Sequence, residues 1–225
     1  KAKLADGTVN PLFCSSPSTD NKSCLQATRD PSLVVVGGIL GVPWQDLAVN
    51  PAKISEGYKT SAQVDWDTVI GSPSTYKDPK DPFMIPSLAP RTGKNVATGT
   101  EITAPGGNNT INGSERLTQG QDLQYACIFR LPTPIACTGY NCDCEDDKPP
   151  LCRNATTGTY DQKQYNAKAY PSLRQLEVIR GLGTQGVPTS ICAAESVDEA
   201  SAIYGYRPAI GALVRRLKHN LPVAK

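Results

Sequence analysis

The sequence predicts an α/β fold built on a parallel sheet, and three observations carry that expectation. A continuous β-branched run, SLVVVGGILGVPW over residues 32–44, is the one stretch that looks like the middle of a sheet. A helix, a short strand and a second helix follow only after residue 170, so the order is strand, long irregular stretch, helix, strand, helix. That order is the signature of layered α/β architecture with parallel strands. The 19 glycines and 19 prolines among 225 residues exceed their usual combined share of about an eighth. They assign much of the intervening chain to loops.

Taken in order, residues 1–31 are polar and rich in Ser, Asp and Pro, and Cys14 and Cys24 are expected to bridge a small surface loop there. Leu33 to Leu40 is continuous rather than alternating, the pattern of a strand buried on both faces. Gly37 and Gly38 let that strand pass close to another element, or open a turn at its end. Residues 41–126 are punctuated by prolines, with one short helix expected over 61–70 (SAQVDWDTVI) and an exposed loop over 104–114 (APGGNNTINGS). LQYACIF (123–129) reads as a short strand.

From Pro171 to Leu182 a helix is expected, with Leu173, Leu176, Ile179 and Leu182 forming a drifting apolar stripe and Gly183 as its stop. Val187–Cys192 reads as a short strand in which Pro188 must lie at the start or on an edge. The last helix, about 208–220, carries Ile210, Leu213, Val214, Leu217 and Leu221 on one apolar face, expected to pack inward. The core segments are therefore about 32–44 and 170–221, separated by a loop-rich, cysteine-containing insertion over 45–169, in a single α/β domain or its C-terminal half. Two strands make too small a sheet to bury both faces of Leu33–Leu40. The sheet is expected to be completed by an upstream segment or by a protein partner. The chain begins at Lys1 rather than Met, which suggests a removed leader or a longer parent.

Composition excludes several function classes. A net charge of +2, from 23 basic and 21 acidic side chains, gives no long-range field for nucleic acid. No apolar run approaches the length of a transmembrane helix. His219 is the one histidine and sits in the last turn of the final helix, where the dipole favours a cation. A hydrolytic zinc site or a Ser-His-Asp arrangement is not expected, and no catalytic residue or organic cofactor is assigned.

The eight cysteines, Cys14, Cys24, Cys127, Cys137, Cys142, Cys144, Cys152 and Cys192, lie mostly in loop-like sequence. That favours disulfides and an extracytoplasmic compartment. The sequence leaves the connectivity open. Cys127 and Cys192 make one candidate longer bridge. Cys137, Cys142, Cys144 and Cys152 are chemically sufficient for a zinc ion or an iron–sulfur cluster, but their spacing fits no common pattern, and two disulfides are favoured. Asp143, Glu145, Asp146 and Asp147 are weak calcium candidates that lack the spaced loop of an EF-hand. Asn-x-Ser/Thr sequons at Asn21, Asn108, Asn112 and Asn154 fit exposed loops.

The C-terminal quarter, YPSLRQLEVIRGLGTQGVPTSICAAE followed by YGYRPAIGALVRRLKHNL, resembles the closing part of bacterial secreted proteins of the von Willebrand factor A-like type. SLVVVGGILGVPW resembles a central strand of that family, and KAKLADGTVNPLFC the segment after its fourth-strand turn. The resemblance implies part of a doubly wound, mainly parallel sheet. The family's Asp-x-Ser-x-Ser metal motif occurs nowhere in the chain, so no metal ligand follows from the resemblance. It implies an exported, non-enzymatic binding or adhesion-type protein. An accessory subunit of a larger extracytoplasmic assembly, or a fragment of a secreted hydrolase with its catalytic residues upstream, are the alternatives.

Overall fold

The structure is a computed structural model and describes residues 4, 6–10, 13–14, 33–139, 141–144 and 147–220. Cys24, Asn21, Glu145 and Asp146, and the side chain of His219, lie outside the described residues. The fold is mixed α/β. Among the described residues, four strands form two small sheets. β1 (Val36–Leu40) pairs in parallel with β4 (Gly186–Ser190), and β2 (Cys127–Ala136) pairs antiparallel with β3 (Lys163–Ala169). The helices are α1 (Trp44–Leu47), α2 (Trp66–Val69), α3 (Leu173–Gly181) and α4 (Arg207–Asn220).

The double glycine of β1 is explained by its neighbours. A Cβ at Gly38 would fall 3.1 Å from Ile179 on α3, and one at Gly37 would fall 3.5 Å from Leu213 on α4. The two helices therefore cover opposite faces of the sheet; a Cβ would be crowded at Gly38, where Leu40 Cδ1 is nearer still at 2.9 Å, and in ordinary contact at Gly37. Beyond the strand, Gly41 locks onto the entry of α3. Its N–H donates to Ser172 Oγ and its carbonyl accepts from Ser172 N. A Cβ at this glycine would overlap the Tyr170 carbonyl.

Pro188 lies in mid-strand opposite Gly38. Ile191 N–H donates to Leu40, so alternation aims the nitrogens of residues 187 and 189 at β1 and that of Pro188 away from it. No ladder bond is lost, as an edge position requires. Two further bonds fasten β4 across the sheet: Thr189 Oγ1 to the Gly38 carbonyl and Ser190 Oγ to the Val42 carbonyl.

Several local expectations are corrected. The helix over 61–70 contracts to the single turn of α2, because Asp65 accepts from Thr68 N and so caps the helix there. The strand beginning near residue 123 starts at Cys127 and runs on to Ala136, with an irregularity between Arg130 and Ile135. The loop over 104–114 is exposed only in part: Ile111, Asn112 and Ser114 are buried. The strand buried on both faces is not β1 but β4, all five of whose residues are buried.

Much of the core comes from the irregular stretch between β1 and α3. Leu47, Val69, Phe83, Met84, Ile111 and Tyr125 are among its fully buried side chains. Regular structure supplies few backbone hydrogen bonds there, and buried polar side chains take over that role. The Arg91 guanidinium pairs with Glu115 (Nη2 to Oε1 2.8 Å, Nε to Oε2 3.0 Å) and donates to the carbonyls of Phe83, Ile85 and Tyr125. Asn112 Nδ2 adds a 2.7 Å bond to Glu115.

Candidate interaction surface

The helix expected to seal the core does so with its small residues. Ala209 and Ala212 of α4 are buried, whereas Ile210, Val214 and Leu217 are 52%, 41% and 38% exposed. The alanines let the helix approach β4, and the larger side chains are displaced to one flank. That flank can be placed. On a helix, residues 210, 214 and 217 lie on one side of residue 213 and residue 212 on the other. Leu213 faces Gly37 of β1, so the exposed apolar flank lies toward the β1 side of the sheet.

β1 itself is open. Among the described residues its sole ladder partner is β4, while α1 packs on β4. Val36 and Ile39 are 41% and 39% exposed, on opposite faces because strand residues alternate. Ile39 shares a face with Gly37, the face α4 covers. A backbone edge unpaired among the described residues, apolar side chains on both of its faces and an apolar helix flank above it therefore belong to one surface. Of the α4 stripe expected to pack inward, Leu213 does so, while Ile210, Val214 and Leu217 do not.

Next to this surface, Phe129, Arg130, Pro132, Tyr204, Tyr206 and Ile210 line a groove of about 660 Å³ between β2 and the entry of α4. Tyrosine and arginine are enriched at protein contacts, and Tyr204, Tyr206 and Arg130 sit here. Tyr170 instead packs edge-on against buried Tyr125, 5.7 Å between centroids, and donates to Asp122. Arg116 stacks on the Tyr125 ring at 3.9 Å.

The cysteines form disulfides. Cys127 joins Cys192, tying the start of β2 to the segment after β4; Cys137 joins Cys142, and Cys144 joins Cys152. Cys14 is also disulfide-bonded. The last two pairs touch, Cys137 Sγ lying 3.2 Å from Cys144 Sγ. Cys137, Cys142 and Cys144 are the one grouping of potential metal ligands among the described residues, and as disulfides they present no thiolate. Of the calcium candidates, Asp143 is paired with Lys168 at 3.0 Å. The sequon at Asn112 is buried with its amide engaged by Glu115, which removes it as a glycan acceptor in the folded protein. Asn108 is exposed.

A second buried polar cluster had no sequence signal. Asn95 Nδ2 donates to both Asp46 Oδ1 (2.8 Å) and Asp81 Oδ2 (3.1 Å), and all three residues are buried. Burial, then repulsion from Asp81, holds the Asp46 carboxyl well above the usual carboxylate range, and burial raises Asp81 as well. Asp46 Oδ2 has no donor to accept from. A proton on it, shared with Asp81, satisfies both carboxyls.

Comparison with known proteins returned no match among family models, curated proteins or solved structures. No helix among the described residues is long and apolar enough to cross a membrane.

Proposed function

We propose that this is an exported, non-enzymatic binding protein of the cell envelope or extracellular space that takes an extended strand from a partner protein along the open edge of β1. The observation that carries this reading is the α4 flank: Ile210, Val214 and Leu217 overhang the side of the sheet on which β1 has no neighbour among the described residues. A strand added there meets main-chain donors and acceptors along β1, apolar cover from α4 on one face and Val36 on the other. That is the strand-addition mode of recognition. The disulfides support an oxidising compartment. An added parallel strand extends the sheet toward the doubly wound, von Willebrand A-like arrangement that the sequence resembles.

The occupant is a different polypeptide rather than a second copy. Two β1 edges meeting about a two-fold axis would bring Gly37 and Gly38 together, leaving the centre of the seam without cross-strand side-chain pairs. A partner strand brings its own side chains to that gap. The test places a photo-reactive benzoylphenylalanine at position 39, and at exposed Val178 on α3 as control, in the protein expressed in its natural host. The expected result is one cross-linked peptide from another chain, with alternating apolar residues, attached at 39 and not at 178. Val36→Lys reduces its yield at least tenfold. Equal labelling at both positions, or a cross-linked peptide from this same chain or a second copy, overturns the proposal.

A further inference from the structure

The opposite flank of α4 carries a different feature. Between α4, the 58–62 loop and the start of β4 lies a cleft of about 490 Å³, within the range of about 300–1,000 Å³ typical of small-molecule sites. Its floor is apolar, formed by Ala212 and Val187, both buried. Its rim is polar and cationic. Tyr58, Thr60, Ser61 and Thr184 line it, with the Thr60 hydroxyl donating to Gln63 Oε1 at 2.9 Å; Arg215 and Arg216 stand on the helix side and Lys59 on the loop side, and none of the described lining residues is acidic.

The cations are individually placed. Lys59 Nζ donates to the Asp46 carbonyl at 3.0 Å, so its charge is held beneath the loop. Arg216 Nε donates to the carbonyl of Thr184, which fixes that side chain along the wall. Arg215 lies across Gly57: a Cβ there would fall 2.5 Å from its Nη2. Gly57 has φ of +91°, a conformation that favours glycine, so the same residue makes the turn and clears the space for the guanidinium. Arg215 makes no ion pair with any described residue. Burial pushes the Tyr58 hydroxyl up to about 12, so it stays protonated and adds no negative charge.

We infer that this cleft binds a small organic anion, a carboxylate or phosphate monoester with a compact apolar body, its charge on Arg215 and its body on Ala212 and Val187. A guanidinium matches a carboxylate or phosphate through two parallel hydrogen bonds, and the apolar floor selects against inorganic anions. The site is separate from the strand-accepting edge and stands or falls independently of it.

The test is isothermal titration of the whole protein with benzoate and phenyl phosphate, against neutral benzamide and body-less acetate and inorganic phosphate. Benzoate or phenyl phosphate should bind at least tenfold more tightly than both benzamide and its body-less counterpart, and the stronger of the two identifies the head group. Arg215→Gln, on an exposed helix position, should weaken it at least tenfold, and Ala62→Trp should obstruct the mouth to a similar extent. Both variants should keep the circular dichroism spectrum and melting temperature of the parent. Lack of binding by both aromatic anions, equal affinity for benzamide, equal affinity for the body-less anions (an anion patch without a built cleft), or an unaltered affinity in Arg215→Gln overturns the assignment.

Discussion

The Arg91–Glu115 pair offers the sharpest test of what holds the irregular half of this protein together. Both side chains are almost wholly buried. The Glu115 carboxylate accepts from Arg91 N (2.7 Å), Nε (3.0 Å) and Nη2 (2.8 Å), and from Asn112 Nδ2 (2.7 Å). Glu115→Gln removes the charge that balances the guanidinium and turns one acceptor oxygen into a donor. Whichever way the amide is turned, it meets two donors. Removing one partner of a buried pair costs about 3–5 kcal/mol. At about 2–4 °C per kcal/mol for a chain of this size, the melting temperature should fall by about 6–20 °C. Urea melts followed by tryptophan fluorescence give the loss directly, with an unchanged m-value. The double variant Arg91→Met, Glu115→Gln separates this network from a simple ion pair. A simple pair replaced by apolar residues often loses little. Here the carbonyls of Phe83, Ile85 and Tyr125 lose their donor, each at a cost of about 1–3 kcal/mol, so the double variant should be no more stable than Glu115→Gln. A loss below about 1 kcal/mol in the single variant, or recovery in the double, refutes the reasoning.

Three further outcomes are expected. Asp46 has a raised folded pKa, so its contribution to stability is fully present below its unfolded value near 3.8 and is lost as pH rises through the folded value. Asp46→Asn, whose amide can accept from Asn95 and donate to Asp81, should match the parent near pH 4 and become progressively more stable than it toward pH 8; denaturant midpoints across that range check the sign. Cys127→Ala with Cys192→Ala opens a bridge spanning 65 residues and should cost about 4 kcal/mol by the chain-entropy relation, read as a lower urea midpoint relative to the oxidised parent. Gly41→Ala drives a methyl into the Tyr170 carbonyl and breaks the paired Gly41–Ser172 hydrogen bonds; a loss of about 2–4 kcal/mol is expected, and a thermal melt within a degree or two of the parent would show that the turn can relax.

What was legible in the sequence was local. The β-branched run before Gly37 marked β1, and Gly183, at φ of +58°, marked the end of α3. The apolar stripe of α3 faces inward at Leu176 and Ile179 as its spacing requires. β3 was missed because KQYNAKA is polar, although Tyr165, Ala167 and Ala169 alternate and could have signalled a strand. The buried networks had no comparable signal. Arg91 meets Glu115 from 24 residues away, and Asp46 meets Asn95 from 49. A charged residue in a proline-rich stretch reads as a solvated loop, and only the tertiary fold turns it into a buried partner.

The α4 stripe failed for a different reason, and that failure bears on function. Helical spacing says which residues share a face, not which face meets the sheet. Packing against β4 selected Ala209 and Ala212, because a helix crossing a fully buried strand at close range needs small side chains at the crossing. Ile210, Val214 and Leu217 were then carried to the side where β1 is the last strand among the described residues. If the chain's sheet ended there by design, polar residues on that flank and a charged or proline-blocked β1 would be the ordinary protection of an open edge. β1 has neither. Its sequence is VGGIL, with no charge and no proline, and the nearest helix flank is apolar. Among the described residues that edge therefore carries none of the protection a boundary needs, which is what the proposed strand addition requires.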